Sequence, residues 1–522
     1  MPSTRKQTNS FFELFQRQKK NIVVNKENGN IVMAEVPQPC LSIKDKDNII
    51  IETTSSLKSG FETELESVTD SSTLTSSSLA SATISNIEKQ DTIDFTNIEY
   101  PEGGLRSWLV VLGCFCGLFT CLGLLNAIGI VETYIQENQL SNESSSSIGW
   151  IFSLLLFVNF SSCIFSGTYF DRNGFKIPVI VGTILHVCGL VAMANSTKLW
   201  QFILSLSIAV GLGNGFIMSP LISAPSHYFN KRRGLATALA TLGGSIGGVI
   251  LPIMLKHFFR LKNSSSKHYG FIWGIRVWAF MDLGLLIVAL FLAKERFTAP
   301  IAPLDDNDTK FKRTIRIYFL ESFDIKAFKD MRYLFCVLGT TFGEVALNTA
   351  VTYYGAYATN RNISNSDALM LIMVLNILSI PGRWLPGYIS DLYGRFNMAI
   401  LTMSCLTILM FVGWVPFGTN LTNLYVISAF FGFCSGSVYS LLPVCCGQIS
   451  KIEEFGKRYS SMYFVVAFAN LIAVPITGAI IGNGSNTTYR NFVIFCGSMA
   501  FASATSFVIS RYYCIGMKFK KF

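Results

Sequence analysis

Arg383 and Glu344 stand inside long apolar stretches of a 522-residue chain. A charge in lipid is costly, so ionisable residues in such stretches are functional by default. A guanidinium and a carboxylate at similar depth can pair with each other or hold the polar groups of a solute. Arg383 lies eight residues before Asp391, at the end of its run, and Glu344 lies eleven residues into the preceding run. At ~1.5 Å per residue they sit ~12 and ~16 Å deep, near the middle of a ~30 Å hydrocarbon layer. Asp282 is at similar depth in another run, Arg276 near a run's outer end can reach headgroups, and His186 reads as a packed neutral histidine.

A second set of residues is written twice. Gly167, Asp171 and Gly174 recur as Gly387, Asp391 and Gly394, at a constant offset of 220 residues. Arg172 and Lys176 follow the first aspartate and Arg395 the second. Glycine lets neighbouring helices approach, aspartate can cap a helix N-terminus or pair with a base, and the base anchors at inner headgroups. A gate needs polar contacts that can be broken, so Gly167, Asp171, Arg172, Gly387, Asp391 and Arg395 are the candidate gating residues. A duplicated loop between hydrophobic helices also implies two related membrane halves, with a substrate site between them.

The elements that position these residues follow from composition. Half of the chain is apolar and only 14% is charged, against about 25% in an ordinary soluble domain. Runs of ~20 apolar residues cross a bilayer, and only helices satisfy their own backbone there. Twelve spans are predicted: 107–131, 148–170, 177–194, 200–222, 234–256, 272–293, 333–356, 367–390, 396–417, 421–446, 459–482 and 490–514. The fold class is therefore an all-α membrane protein of two six-helix bundles.

The net charge of +10 does not point to nucleic acid. Lys231, Arg232, Arg233, Lys312, Arg313, Lys457 and Arg458 fall in alternate loops, and Lys518, Lys520 and Lys521 in the C-terminal tail. Loops rich in Lys and Arg stay cytoplasmic, which puts both termini and the central loop inside. Asn-x-Ser/Thr triplets at Asn142, Asn195, Asn263, Asn362, Asn420, Asn483 and Asn486 fall on the opposite side, whereas those at Asn159 and Asn307 break the pattern.

Five regions result: a cytoplasmic N-terminal tail (1–100), an N-terminal bundle (101–293), a cytoplasmic central loop (294–331), a C-terminal bundle (332–515) and a cytoplasmic C-terminal tail (516–522). The N-terminal tail is polar, nearly low-complexity over Ser71–Ser81, and reads as disordered. Within the central loop, 311–331 alternates apolar and charged residues and suits an amphipathic helix on the inner membrane surface.

Other chemistry is excluded or weak. Of 13 cysteines, all but Cys40 lie in or beside apolar runs, with no zinc or disulfide spacing. Gly211-x-Gly213-x-Gly215 sits inside an apolar span with no strand before it, so helix packing is its reading. No metal, cofactor or enzyme activity is expected. The expected partners are a small-molecule substrate and the lipid bilayer.

The twin Gly-x-x-x-Asp loops resemble the signature loop of the major facilitator superfamily. Pro101-Glu102-Gly103-Gly104-x-x-x-Trp108, before span one, and Tyr228 through Ala236, running into Gly243-Gly244-Ser245-x-Gly247-Gly248, resemble the two signatures of its monocarboxylate transporter family. Further stretches, such as Ile380 to Gly387, Leu441 to Ser450 and Glu453 to Ser460, are similar to the fungal homologues of that family. The resemblance covers 100–515. It implies the major facilitator fold, with spans seven and eight lining a central cavity and span six peripheral. Asp282 then takes a structural role.

This chain departs from the proton–lactate carriers of the family. The resemblance calls for a lysine in span one and an aspartate four residues before the span-eight arginine. Asn126 and Ser379 occupy those positions, while Arg383 is retained. A carboxylate-plus-proton substrate loses its relay, and a neutral hydrogen-bonding one does not need it. The fungal likeness implies riboflavin uptake by facilitated diffusion across the plasma membrane. Aromatic faces can stack on the flat ring, and amides can bond the polyhydroxyl arm. Tyr353, Tyr354, Tyr357 and Trp384 supply the first, and Asn126, Asn348 and Asn376 the second. Together with Arg383 and Glu344 these are the candidate substrate contacts. The alternatives are a proton-coupled monocarboxylate permease and a nutrient sensor that transports little.

Overall fold

The computed structural model describes residues 22–27, 30–35, 99–261, 268–298, 316–482, 484–518 and 520–522. It forms two units, Met1–Ile98 and Glu99–Phe522. In the first, β1 (Ile22–Glu27) and β2 (Asn30–Glu35) pair antiparallel, with Ile22 opposite Glu35 and Glu27 opposite Asn30. The disorder expected elsewhere in the tail falls outside the described residues. So do 299–315 of the central loop and the triplets at Asn263, Asn307 and Asn483.

In the second unit every regular element among the described residues is helical. Twelve helices are long and apolar enough to cross a membrane: α1 Leu105–Glu137, α2 Ser147–Asn173, α3 Lys176–Ala194, α4 Leu199–His227, α5 Arg233–Phe259, α6 Tyr269–Leu292, α7 Met331–Asn360, α8 Ser366–Tyr393, α9 Arg395–Phe417, α10 Leu421–Gln448, α11 Ile452–Ile481 and α12 Asn486–Ile515. The chain is a multi-pass membrane protein. Each predicted span is present, and most helices outlast it by a turn, because the bundle extends beyond the hydrocarbon layer.

Short polar residues start these helices. Ser144, Ser364 and Ser485 accept the Ser147, Asp367 and Thr488 N–H groups at 3.1–3.2 Å. Asp330 accepts the Arg332 N–H at 3.0 Å. The third residue of the duplicated motif ends α2 and α8: Gly174 has φ 84° and Gly394 φ 107°, values that favour glycine.

α1–α6 form one bundle and α7–α12 the other. Trp278 is wholly buried in the first. Trp414 fills the second, edge-on to Tyr354, Tyr357, Phe431 and Phe492. His186 on α3 and Asp282 on α6 face each other inside the first bundle at 2.9 Å, both fully buried.

The single amphipathic helix expected over 311–331 is not what the described part shows. A π-type turn covers Arg316–Leu320 and a short 3-10 turn Ala327–Lys329. Between them Asp324 turns inward: its N–H donates to Ser461 Oγ at 3.0 Å, and its carboxylate accepts the Ala327 N–H at 3.2 Å. This segment lies over the ends of two helices from opposite bundles. Thr168 on α2 donates to the Ser322 carbonyl at 3.4 Å, and Arg458 on α11 reaches Asp324 at 3.6 Å.

Candidate functional site

The bundles meet along two seams that mirror each other. On one, α5 runs antiparallel to α8. Leu235 and Gly234 face Asp391, Ser245 Oγ lies 2.7 Å from Ser379 Oγ, and the Gly248 carbonyl accepts from Asn376 at 3.3 Å. On the other, α2 runs antiparallel to α11. Asp171 faces Gly456 and Lys457, Phe160 packs on Tyr463 at 5.3 Å, and Phe157 on Phe468 at 5.0 Å. From Asn376 to Asp391 the first seam seals ~22 Å of the bundle by helical rise.

The duplicated aspartates are the outermost rungs. Asp171 accepts the Gly456 and Lys457 N–H groups at 2.9 and 2.7 Å. Asp391 accepts those of Gly234 and Leu235, both at 2.9 Å. Each carboxylate leaves its own bundle to cap a helix of the other, where the free N–H groups and the helix dipole favour negative charge. Gly167 and Gly387 make this approach possible. A Cβ on Gly167 would collide with Ser460 Oγ and the Gly456 carbonyl of α11, and one on Gly387 would meet Ala238 Cβ and, at 3.1 Å, the Gly234 carbonyl of α5.

The two copies diverge at the basic residue. Arg395 pairs with Asp391 at 3.3 Å, bonds Gln448 in its own bundle and donates to the Asn230 carbonyl across the seam. Arg172 pairs with Glu321 of the central loop at 3.6 Å instead. The two capped termini share a glycine, Gly234 and Gly456, whose N–H donates to the carboxylate opposite. Two neighbouring contacts brace this end, the first across the bundles and the second within the first bundle. Arg233 donates to the Gly447 carbonyl at 2.6 Å. Glu102 accepts the N–H groups of Asn230, Lys231 and Arg232 at 2.6–3.2 Å.

Above the seal the bundles part around a cavity of about 1920 Å³. Asn138, Arg260, Thr359 and Gly482 line its mouth, so it opens on the face opposite both ends of the twelve-helix unit. Its deep end is polar and belongs mainly to the second bundle. Arg383 is 3% exposed, and its guanidinium lies over the Tyr439 ring at 5.4 Å. Its Nε and Nη1 have no hydrogen-bond partner among the described residues. Glu344 accepts from Tyr463 Oη at 3.0 Å and from Asn348 Nδ2 at 3.1 Å. Asn348 also bonds Asn470 at 3.3 Å and accepts from Tyr439 Oη at 3.1 Å.

Arg383 and Glu344 therefore share one cavity without a direct ion pair among the described residues. Buried polar groups are ordinarily satisfied, so the buried Nε and Nη1 of Arg383 are donors that lack an acceptor. Glu344 beside them offers the complementary acceptor.

Of the other predicted contacts, Asn126, Asn348 and Tyr353 line this cavity. Asn126 donates to the Gly244 carbonyl at 3.0 Å, and Tyr353 to the Val474 carbonyl at 3.0 Å. Asn376 lies in the seam itself. Tyr354 points away: its hydroxyl bonds Ser428 at 2.5 Å, and its ring packs on Trp414. Tyr357 is likewise spent on packing, bonding the Gly418 carbonyl at 2.8 Å. Trp384 is 49% exposed, on the stripe Ile377, Trp384, Tyr388 and Leu392 that faces away from the bundle. Tyr354 and Trp384 each stand ~100° round the helix from a cavity-lining neighbour, Tyr353 or Arg383, which turns Tyr354 into the bundle and Trp384 to its outer face.

Tyr439, Tyr463 and Glu132 are among the cavity residues that escaped sequence reasoning. The tyrosines carry no signal apart from their depth. Glu132 does, as an ionisable residue on a membrane helix, but it falls just past the predicted end of span one, and α1 continues to Glu137.

The family model of the Major Facilitator Superfamily matches residues 113–451. Among curated proteins, the chain is 59% identical over 423 residues to the riboflavin transporter MCH5 of Saccharomyces cerevisiae, covering 81% of each. It is 32% identical over 418 residues to the MFS transporter asaE of Aspergillus flavus, covering 80% of this chain and 89% of that one. Among solved structures, the outward conformation of FucP aligns with a TM-score of 0.56 at 15% identity, over 78% of this chain and 99% of that one. The human organic anion transporter MFSD10 aligns with a TM-score of 0.58 at 13% identity, over 78% and 100%.

Proposed function

Because the chain belongs to the major facilitator superfamily, a family of membrane transporters rather than enzymes, we propose that it takes up riboflavin across the plasma membrane by facilitated diffusion with alternating access. The observation that carries this reading is the 59% identity to a riboflavin transporter over four-fifths of both chains. In this reading both termini are cytoplasmic, the cavity faces outside, and the twin aspartate seams form the inner gate.

The cavity chemistry supports it. Riboflavin is neutral at pH 7 and carries a dione edge of carbonyls flanking an N–H. The unpaired nitrogens of Arg383 suit a ring carbonyl, and Glu344 suits the N–H. Tyr439 and Phe160 offer aromatic faces to the ring beside them. Glu132 and Glu344 both line the cavity and disfavour an anion.

The orphaned guanidinium is the one observation favouring the second reading, a monocarboxylate permease, since Arg binds carboxylates well. Labelled riboflavin entry, compared between expressing and non-expressing cells with and without an uncoupler, separates the two. Entry that saturates and survives the uncoupler is the expected result. Medium alkalinisation on adding lactate or pyruvate, without flavin entry, would establish the permease instead.

A further inference from the structure

Glu132 is the cavity carboxylate that the deep polar cluster leaves unused. It lines the wall from α1, in the first bundle, and has no hydrogen-bond or ion-pair partner among the described residues. No cation acts on it electrostatically, although Lys256 and Arg260 line the mouth nearby. Tyr353 on α7 is within its electrostatic reach from the opposite bundle.

Its height in the cavity follows from the helices. Six residues separate it from Asn126, which bonds α5 at the cavity floor, so it stands ~9 Å nearer the mouth. Nine residues separate Tyr353 from Glu344, ~13 Å along α7. The cavity thus holds two polar layers roughly a flavin's length apart. The deep one carries a donor and an acceptor, Arg383 and Glu344. The outer one presents an unpaired carboxyl group, whose ionised form accepts hydrogen bonds and carries negative charge.

We propose that Glu132 is a specificity-determining residue. It accepts hydrogen bonds from hydroxyls of the substrate's polyol arm and excludes flavins whose arm ends in a phosphate. This deepens the riboflavin reading and rests on it. With the ring edge on Arg383 and Glu344, the arm points to the mouth and its hydroxyls meet an acceptor. A terminal phosphate brings about −1.5 to −2 charges and no comparable donors. In a narrow, partly desolvated space two such anions repel strongly, and removing the unpaired partner relieves the repulsion.

The test is competition. Labelled riboflavin uptake is measured in cells expressing the native protein, Glu132→Gln or Glu132→Asp, against unlabelled riboflavin 5′-phosphate. The native protein and Glu132→Asp should ignore a hundredfold excess of the phosphate. Glu132→Gln should raise the riboflavin KM severalfold with kcat little changed, and the phosphate should now compete within about tenfold of that KM. An unmoved KM with the phosphate still ignored by Glu132→Gln would overturn the proposal, as would admission of the phosphate by Glu132→Asp. Absence of riboflavin entry through the native protein is a separate result, which would overturn the reading beneath the proposal and the proposal with it.

Discussion

Replacing Asp171 with asparagine should tilt the protein toward its inner-open form by a predictable amount. The carboxylate accepts two backbone N–H groups across the α2–α11 seam at 2.9 and 2.7 Å and is 5% exposed. Hydrogen bonds to a charged partner contribute ~1.5–3 kcal/mol each. Asparagine keeps one oxygen, so one bond becomes neutral, and its NH2 group faces the other N–H, so the second is lost. The closed seam then loses ~2–4 kcal/mol in all. When the seam opens, water reaches these groups in both forms, so the loss falls on the closed state alone. At 1.4 kcal/mol per decade, the ratio of outer-open to inner-open protein falls by ~30- to 700-fold.

The assay is labelling of Thr352→Cys, an exposed cavity-wall position on α7, by an impermeant maleimide added outside. The protein without that cysteine serves as background, since Cys188 and Cys405 are also exposed. Asp171→Asn should slow labelling at least several-fold while a thermal melt shows the protein still folded. Asp391→Asn should do the same through the α5–α8 seam. Unchanged labelling in both variants would refute the assignment of these carboxylates as rungs of a gate.

The central-loop segment should act in the same direction with less force. Asp324→Ala removes the Arg458 contact at 3.6 Å and a local turn, and should slow Thr352→Cys labelling by a factor consistent with ~1 kcal/mol; faster labelling would contradict its role as a tie across the inner seam. The His186–Asp282 pair is internal to the first bundle, so Asp282→Asn or His186→Ala should cost ~3–5 kcal/mol of stability, seen as a lower melting temperature, with riboflavin KM unchanged among surviving molecules; an intact melt with an altered KM would move the pair into the transport pathway. Trp384→Ala should leave uptake unaltered because its ring faces away from the cavity, whereas Arg383→Ala should abolish uptake at equal surface abundance; the opposite outcome would mean that the substrate approaches along the other face of α8.

The spans and the equivalence of the two seam aspartates are legible in the sequence because lipid imposes length and the duplication imposes register. The side that each candidate faces is not. Tyr353 and Tyr354 are chemically alike and adjacent, yet one lines the cavity and the other bonds Ser428. The sequence offers no contrast between them because a tyrosine suits a packed face and a cavity face alike. In a soluble helix the polar side betrays its phase. In a membrane helix the lipid side and the packed side are both hydrophobic, and only a third, narrow, polar strip marks the cavity. Arg383 lines the cavity, as a charge inside a membrane bundle has few other tolerable environments. Trp384 does not, which the sequence could not show because an indole is equally at home against lipid, protein or ligand.

The same reasoning explains why duplication located the gate but not its asymmetry. Offset by 220 residues, Asp171 and Asp391 perform one task, since a helix N-terminus is a backbone feature that survives sequence drift. Arg172 has Leu392 at the matching position, which is 51% exposed, and Arg395 has Phe175, which is fully buried. The α5–α8 seam therefore carries its cation within the seam, where Arg395 bonds Asp391, Gln448 and the Asn230 carbonyl. The α2–α11 seam borrows its ties from the connection between the bundles, through Glu321 to Arg172 and Asp324 to Arg458. A tie supplied by the link between the bundles can be released without touching the cavity or the opposite seam. Opening of the inner face should accordingly be easier to bias from the central loop at α2–α11 than at α5–α8. In that case Asp324→Ala and Asp171→Asn combine non-additively on their shared seam, while Asp324→Ala and Asp391→Asn add.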